Sequence, residues 1–371
     1  MDRFRVVVCG GGIAAIEGLL RLRALTGDAL DITVVAPNEE LRYRPLAVDE
    51  PFSWRGVRRY PLRTIAGRTG ATWVQEAAEW VDPDAQTLHT EGGGTLPFDA
   101  LLLAVGGRLV TPFEHVTVFD DANADEAYRG LVQDVEGGYT RSVALLVPEG
   151  PAWLLPAYEL ALMTAERATS MWEEGLGVNV VTPEPAPLAA LGEAASSAVG
   201  ELLDKARVRV YTDARPAVPA AGHVLVAPGG PEFESARIVA LPRIEGRPLR
   251  NVPTVDNGFV PVDELSRVPG MADHVFAAGD ATDQPLKHGG LGAQQADVAA
   301  AGIAAMAGAD VKPEPLRPVI RAVLHTGEQP LYITARIEDG RVESEVTTER
   351  AWPADEKVVA EELGPFLSSL D

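Results

Sequence analysis

The sequence predicts an α/β protein: two three-layer units, each a parallel sheet between helices, followed by a small α+β carboxy-terminal region. Three observations carry this reading. A strand-like run, a glycine turn and a helix-like run open the chain and lead into a second strand. The same order begins again at Val143. A third buried-type strand, Val275 to Ala278, ends in Gly279-Asp280 and feeds a long alanine-rich helix. The expected division is 1–120 for the first part of one unit, 121–255 for the second unit, 256–315 for the return to the first, and 316–371 for the carboxy-terminal region.

Phe4 to Val8 is a short β-branched run of the kind that parallel sheets bury on both faces. Cys9-Gly10-Gly11-Gly12-Ile13-Ala14-Ala15 follows, and Ile16, Leu19, Leu20 and Leu22 fall at helical spacing. Gly27-Asp28 breaks that helix, and Asp31 to Ala36 reads as the second strand, which makes a right-handed crossover. Residues 37–70 are irregular and rich in Arg, Pro and Tyr. Thr72 to Gln75 and Gln86 to Thr90 predict a small antiparallel piece, and Ala100 to Val105 predicts another buried strand, ended by Gly106-Gly107. In the second unit the strand is Val143 to Val147, the helix Ala157 to Trp172 and the next strand Val178 to Thr182. The long helix is expected from Gly292 to Met306. The tail holds a short alternating segment, Tyr332 to Arg336, and an acidic last helix.

Composition narrows the function classes. The 371 residues carry 32 Lys+Arg against 54 Asp+Glu, a net charge of −22. A phosphate-backbone binder needs a basic face, so nucleic acid is excluded as a partner, and anionic membrane surfaces are disfavoured for the same reason. Cys9 is the single cysteine, which removes intramolecular disulfides, cysteine metal cages and any mechanism needing two protein thiols. The six histidines form no metal spacing. No apolar run approaches transmembrane length and no signal-peptide core fits, so no stable membrane insertion is expected and the cytoplasm is the expected compartment.

Gly10, Gly12 and Ala15 satisfy G-x-G-x-x-G/A directly after a strand and before a helix. The first glycine makes the tight turn, the second lets backbone approach a pyrophosphate, and the third small residue lets helix and strand pack closely. This is a Rossmann-like dinucleotide site. One part departs: the ribose-binding acid should end the second strand, and Ala36 stands there. Pro37 and Asn38 are the expected substitutes. Glu39 and Glu40 follow a few positions late and read equally well as a solvated turn pair. At the other end, Gly279-Asp280 puts a carboxylate at the carboxyl edge of a parallel strand, where doubly wound sheets bind ligands. Lys287-His288-Gly289-Gly290-Leu291 then leads into the long helix, whose positive end points back to the same crevice.

These features, with Phe98 to Gly106, Pro156 to Ala161, Gly258 to Asp263 and Val275 to Asp297, resemble the two-dinucleotide-domain flavoprotein superfamily, the pyridine nucleotide-disulfide oxidoreductase-like proteins. Within it the chain is similar to the sulfide:quinone oxidoreductase and type II NADH dehydrogenase group. The resemblance implies a non-covalent FAD and two-electron transfer between a small-molecule donor and a quinone-like or other small acceptor. By position it implies Gly10, Gly12, Ala14 and Ala15 at the FAD pyrophosphate, Ala78 at the adenine, and Ala104 and Gly106 in the family's Ala-Thr-Gly turn, with Val105 replacing Thr. It also implies Gly279 and Asp280 at the ribityl chain, Gly290 and Leu291 at the flavin pyrimidine edge, and Arg44-Pro45 beside the isoalloxazine. Lys287 is either a charge that favours reduced flavin or a solvated surface lysine. Glu159 is either a reacting acid or a structural helix residue.

The second unit breaks the pattern. Val147 is followed by Pro148-Glu149-Gly150-Pro151-Ala152-Trp153-Leu154-Leu155-Pro156, with one glycine and three prolines that lack N–H donors. Trp153 and Leu155 add bulk where a pyrophosphate needs room. The expected reading is a structural domain whose nucleotide site has been lost, with an NAD(P)H-dependent flavin oxidoreductase as the second reading. A catalytically degenerate FAD-binding or scaffold protein is the reading from another class. The group's sulfur-carrying cysteines have no counterpart, so sulfide oxidation by that route is excluded. The acidic tail (Glu356, Glu361, Glu362, Asp371) matches membrane-docking helices poorly. A homodimer is compatible with the sequence, which does not set the oligomeric state.

Overall fold

Apolar and β-branched residues fill both faces of five parallel strands in the order Val275–Ala277, Ala100–Leu103, Phe4–Cys9, Leu30–Val35, Thr72–Val74. The computed structural model describes residues 3–53, 57–120, 124–172, 175–352 and 357–370. The helices Ile13–Thr26 and Gly289–Met306 cover one face, burying Ala15, Ile16 and Leu19 with Ala296, Ala299 and Ile303. An antiparallel piece, Ala78–Asp82, Thr87–Thr90 and Thr95–Pro97, serves the other face, where Val81 and Leu88 meet Val7, Cys9 and Leu101. Glycines let each helix lie close to the sheet side. A Cβ on Gly292 would lie 2.9 Å from the Cα of Gly279, in the turn after Val275–Ala277, and one on Gly18 would lie 2.6 Å from the Leu102 side chain of the strand Ala100–Leu103.

One strand sits elsewhere than expected. Thr72–Val74 is not in the antiparallel piece; it pairs parallel to Leu30–Val35, with Thr33 opposite Thr72. The cause is the helix Leu62–Thr69 just before it, which completes a strand–helix–strand crossover and so imposes the parallel direction. That helix lies within the stretch expected to be irregular.

The second sheet is also parallel, in the order Thr117–Val118, Arg237–Ala240, Ser142–Leu146, Gly177–Val181, Arg209–Tyr211. The helix expected at Ala157 to Trp172 runs Leu155–Ser170, because Pro156 sits in its first turn, where the missing N–H costs nothing. The helices Ala124–Glu136 and Glu193–Lys205 complete the unit and were not expected. The long helix likewise starts earlier than Gly292, at Gly289, since glycine's low helix propensity hides the first turn. The carboxy-terminal strands Val319–Leu324, Leu331–Glu338 and Arg341–Thr347 form an antiparallel sheet. Ile320, Leu324 and Ile333 join the core of the second unit, whereas Val358, Leu363 and Leu367 join that of the first. The last helix is short, Leu363–Ser368. Among the described residues no helix is long and apolar enough to cross a membrane, and no group of His, Cys, Asp and Glu could hold a metal ion.

A buried acidic cluster ties that tail down. Glu17, fully buried on the first helix, accepts the backbone N–H of Glu362 at 2.9 Å and of Leu363 at 2.7 Å. Arg21 pairs with Glu361 and Glu362. Asp297 faces this group with a buried Oδ1 that has no hydrogen-bond partner, and burial, then Glu17, pushes its carboxyl up to about 8. The folded state therefore holds a proton that the unfolded chain releases above its ordinary value of 3.8, so this residue's contribution to stability falls as pH rises from there towards 8 and is level beyond. Asp297→Asn is expected to gain about 1–3 kcal/mol over the native chain at alkaline pH, with the gap closing in acid. Urea unfolding at about pH 5 and about pH 8.5 measures it, and an equal gap at both values would refute the account.

Candidate cofactor site

A cavity of about 400 Å³ runs along the carboxyl edge of the first sheet, a size typical of small-molecule sites. The glycine turn builds one wall. Gly10 has φ +130°, and a Cβ there would fall 2.1 Å from the Ala104 carbonyl oxygen, so no other residue fits. Its N–H donates to the Val35 carbonyl at 2.8 Å, which closes the turn onto the neighbouring strand. Gly12 is the extended N-cap of the helix Ile13–Thr26 and supplies no side-chain cap. A Cβ on it would meet nothing within 4 Å. The first N–H groups of this helix therefore face open space with the positive end of its dipole, and a pyrophosphate fits that wall.

The opposite wall is the turn after Val275–Ala277. The Gly279 N–H donates to Gln295 Oε1 at 2.8 Å, and Thr282 Oγ1 donates to the Gly279 carbonyl at 2.8 Å. Gln295, buried on the long helix, thus fixes the turn that presents Asp280 to the cavity. Burial pushes the Asp280 carboxyl up, and Lys287 and then Arg44 pull it down. Lys287 is not a surface residue: it is 3% exposed, and its Nζ donates to the Thr282 carbonyl at 2.5 Å and the Asp280 carbonyl at 3.4 Å. The Nζ also stands 3.8 Å from the centre of the Phe259 ring. Burial lowers it to about 8, against the pull of Asp280 and Asp283. The ammonium lies behind the turn rather than among the cavity-lining residues, and its field reaches the site through Asp280.

His288 caps the long helix. Its Nδ1 accepts the Leu291 N–H at 3.3 Å, and burial lowers the ring to about 4. The imidazole is therefore neutral, with its proton assigned to Nε2 by that acceptance. The Leu291 N–H expected at a cofactor edge is thus already engaged. Leu291 and Gly290 stand behind the cavity, and His288, Gly289 and Gly292 line it. The structure also brings Gly10, Gly12, Ala14, Pro37, Asn38, Ala78, Ala104, Gly106, Gly279, Asp280 and Arg44 to this one cavity, with Ala15 and Pro45 outside the lining. Glu39 and Glu40 separate: Glu40 lines the cavity, while Glu39 turns outward to Gln75. Sequence reasoning missed Gln295, Arg42, Glu91 and Arg247, whose Nε donates to the Gly107 carbonyl at 3.0 Å. Arg42 alone left a signal, its two-residue spacing from Glu40 and Arg44.

The corresponding edge of the second sheet is filled by the chain itself. Glu184 follows the strand Gly177–Val181, where a ribose acid would stand, but it is turned inward and buried. Tyr158 donates its hydroxyl to Glu184 Oε2 at 2.5 Å, and burial holds the Glu184 carboxyl above its ordinary range. The loop 148–154 rests on the first unit: Ala152 bridges to Leu286, and the Trp153 ring lies 4.6 Å from that of His288. Glu159 is 1% exposed and accepts from Lys357 Nζ at 2.5 Å and from the His325 N–H at 2.8 Å. Cys9 is fully buried in the central strand, and desolvation drives its thiol far above the ordinary range, so it is no nucleophile.

No family model matches the chain. It is similar to the sulfide-quinone reductase of Aquifex aeolicus, 30% identical over 165 residues that span 43% of this chain and 38% of that protein. It is also similar to an NADH dehydrogenase-like protein of Mycobacterium tuberculosis, 27% identical over 302 residues, 74% of this chain and 72% of that one. In structure it is similar to the sulfide:quinone oxidoreductase from Aquifex aeolicus, with a TM-score of 0.84 at 20% identity over 99% of this chain and 95% of that one. These relatives match the two-dinucleotide-domain superfamily that the motifs resemble.

Proposed function

We propose, from this place among the two-dinucleotide-domain flavoproteins, that the chain is a FAD-dependent oxidoreductase that passes two electrons from a small-molecule donor to a quinone-like or other small acceptor, without redox cysteines. The observation that supports it most is one cavity bounded by an uncapped helix N-terminus at Gly12 and a half-buried carboxylate at Asp280. FAD, when bound, supplies the electron chemistry; the protein supplies binding, orientation and electrostatics. The turn at Gly10–Gly12 takes the pyrophosphate, and Asp280 takes the ribityl hydroxyls. Burial raises the Asp280 carboxyl, and the charges of Lys287 and then Arg44 oppose that rise. His288, neutral and set against Trp153, fixes the start of the long helix beside the flavin. A cytoplasmic location belongs to the same reading. The NAD(P)H-dependent reading has in its favour the NADH dehydrogenase-like relative that covers 74% of this chain.

The purified protein is expected to be yellow and to release FAD on denaturation. Anaerobic titration against a panel of donors and quinones then identifies the couple. Colourless protein that takes up no FAD would overturn the proposal.

A further inference from the structure

Where a nucleotide-binding crossover normally carries its ribose acid, this chain has Ala36, which is 1% exposed. A Cβ on Gly11 would sit 3.1 Å from the Ala36 Cβ, so the position is packed against the glycine turn and has no carboxylate to offer. The chain turns through Pro37-Asn38 and enters the short strand Glu40–Arg42. That strand is held antiparallel to Arg59–Pro61, with Glu40 opposite Pro61 and Arg42 opposite Arg59. Side chains alternate along a strand, so its neighbours divide between two faces. Leu41 and Tyr43 belong to the buried core of the first unit. Glu40 and Arg42 take the other side; they line the cavity with Leu41 and with Arg44, which opens the short 3-10 helix Arg44–Leu46.

Arg44 and Asp280 line the same cavity, and the charge of Arg44 favours the Asp280 carboxylate. Glu40 and Arg42, alternate residues of the strand, stand roughly 6.6 Å apart along it, and Asn38 and Ala78 line the same cavity. A carboxylate and two guanidinium groups therefore line the same cavity as the helix end at Gly12. A ribose diol calls for a carboxylate acceptor. A pyrophosphate calls for a planar, permanently charged fork opposite the helix N–H groups. Glu40 and Arg42 supply one of each, side by side on one strand, as an adenosine diphosphate moiety requires. Glu39 shows what a merely solvated turn acid does here, since it points away to Gln75.

We infer that the strand Glu40–Arg42 reads the adenosine diphosphate half of the cofactor: Glu40 accepts the ribose hydroxyls in place of the missing acid at Ala36, and Arg42 pairs with the pyrophosphate. This rests on the FAD reading and assigns two residues within it. The test uses protein stripped of flavin and shown to take FAD up again, with ADP, AMP and 2′,3′-dideoxy-ADP as calorimetric probes. The native chain binds ADP roughly tenfold or more tighter than the dideoxy analogue, as hydrogen bonds from the ribose hydroxyls to a carboxylate require. Glu40→Ala narrows that gap to under about threefold. Arg42→Met brings ADP down towards AMP and leaves the ribose discrimination in place. If the native chain takes up FAD but binds ADP and dideoxy-ADP equally, this inference is overturned and the FAD reading stands. If Glu40→Ala keeps the full gap, the assignment of Glu40 falls; if Arg42→Met keeps the native preference for ADP over AMP, the assignment of Arg42 falls. If the native chain takes up no FAD, both readings fall together. The comparison of ligands on the native chain needs no variant, so a variant that folds poorly does not blunt it.

Discussion

Alanine at position 280 is expected to weaken FAD binding roughly 10–150-fold, the equivalent of one charge-assisted hydrogen bond of about 1.5–3 kcal/mol. Asp280 is the one carboxylate that the Gly279 turn aims into the cavity, and Gln295 and Thr282 hold that turn from behind. Burial works against its charge, and Lys287 and Arg44 oppose that cost. The carboxyl is thus held in place before any hydroxyl arrives, and a hydrogen bond to its charged form is a strong one. Asp280→Asn keeps the shape and one acceptor but loses the charge, so it is expected to fall between alanine and the native residue. Flavin fluorescence recovered on serial dilution gives the dissociation constants, and thermal unfolding of the flavin-free proteins shows whether the fold survives. An alanine variant within about threefold of the native affinity would remove Asp280 from the cofactor site.

The parts of this fold that could be read from the sequence are those dictated by local chemistry. Parallel strands buried on both faces must be β-branched and apolar, so Phe4–Cys9, Ala100–Leu103, Ser142–Leu146 and Val275–Ala277 were legible. Gly10 was legible because only glycine can sit against the Ala104 carbonyl. What stayed hidden depends on partners far along the chain. Gln295 lies in a helix interior, where a glutamine reads as solvent-facing, and its role exists only because Gly279 packs there. Lys287 has the composition of a surface residue and becomes buried because the Asp280 and Thr282 carbonyls and the Phe259 ring converge on it. His288 takes the Leu291 N–H, a choice of partner that no spacing reveals. Thr72–Val74 is too short for its alternation to name a neighbour, and the preceding helix decided it. In the second unit the prolines were visible, but the inward turn of Glu184 under Tyr158 was not.

That second unit carries the other large expected effect: NADH and NADPH should reduce the flavin slowly, if at all. A dinucleotide site offers backbone N–H donors to the pyrophosphate, a small residue so the backbone can approach it, and an acid for the ribose. Here Pro148, Pro151 and Pro156 have no N–H to give. The loop between them is seated on the first unit through Ala152 and Leu286, with Trp153 against His288, so it is not open to receive a phosphate. The ribose acid position is spent as well, since Glu184 is buried and holds the Tyr158 hydroxyl. Two missing donors to a charged phosphate alone cost about 3–6 kcal/mol, or roughly 10²–10⁴ in affinity, which moves a micromolar site to about 0.1–10 mM. Displacing the Tyr158–Glu184 contact would add to that. Anaerobic stopped-flow with either nucleotide, followed at the flavin absorbance, is the measurement. A slow, non-saturating decay up to millimolar nucleotide is the expected trace. Rapid, saturable bleaching at micromolar NADH or NADPH would mean that the loop 148–154 moves aside on binding, and would make the nicotinamide nucleotide the physiological donor.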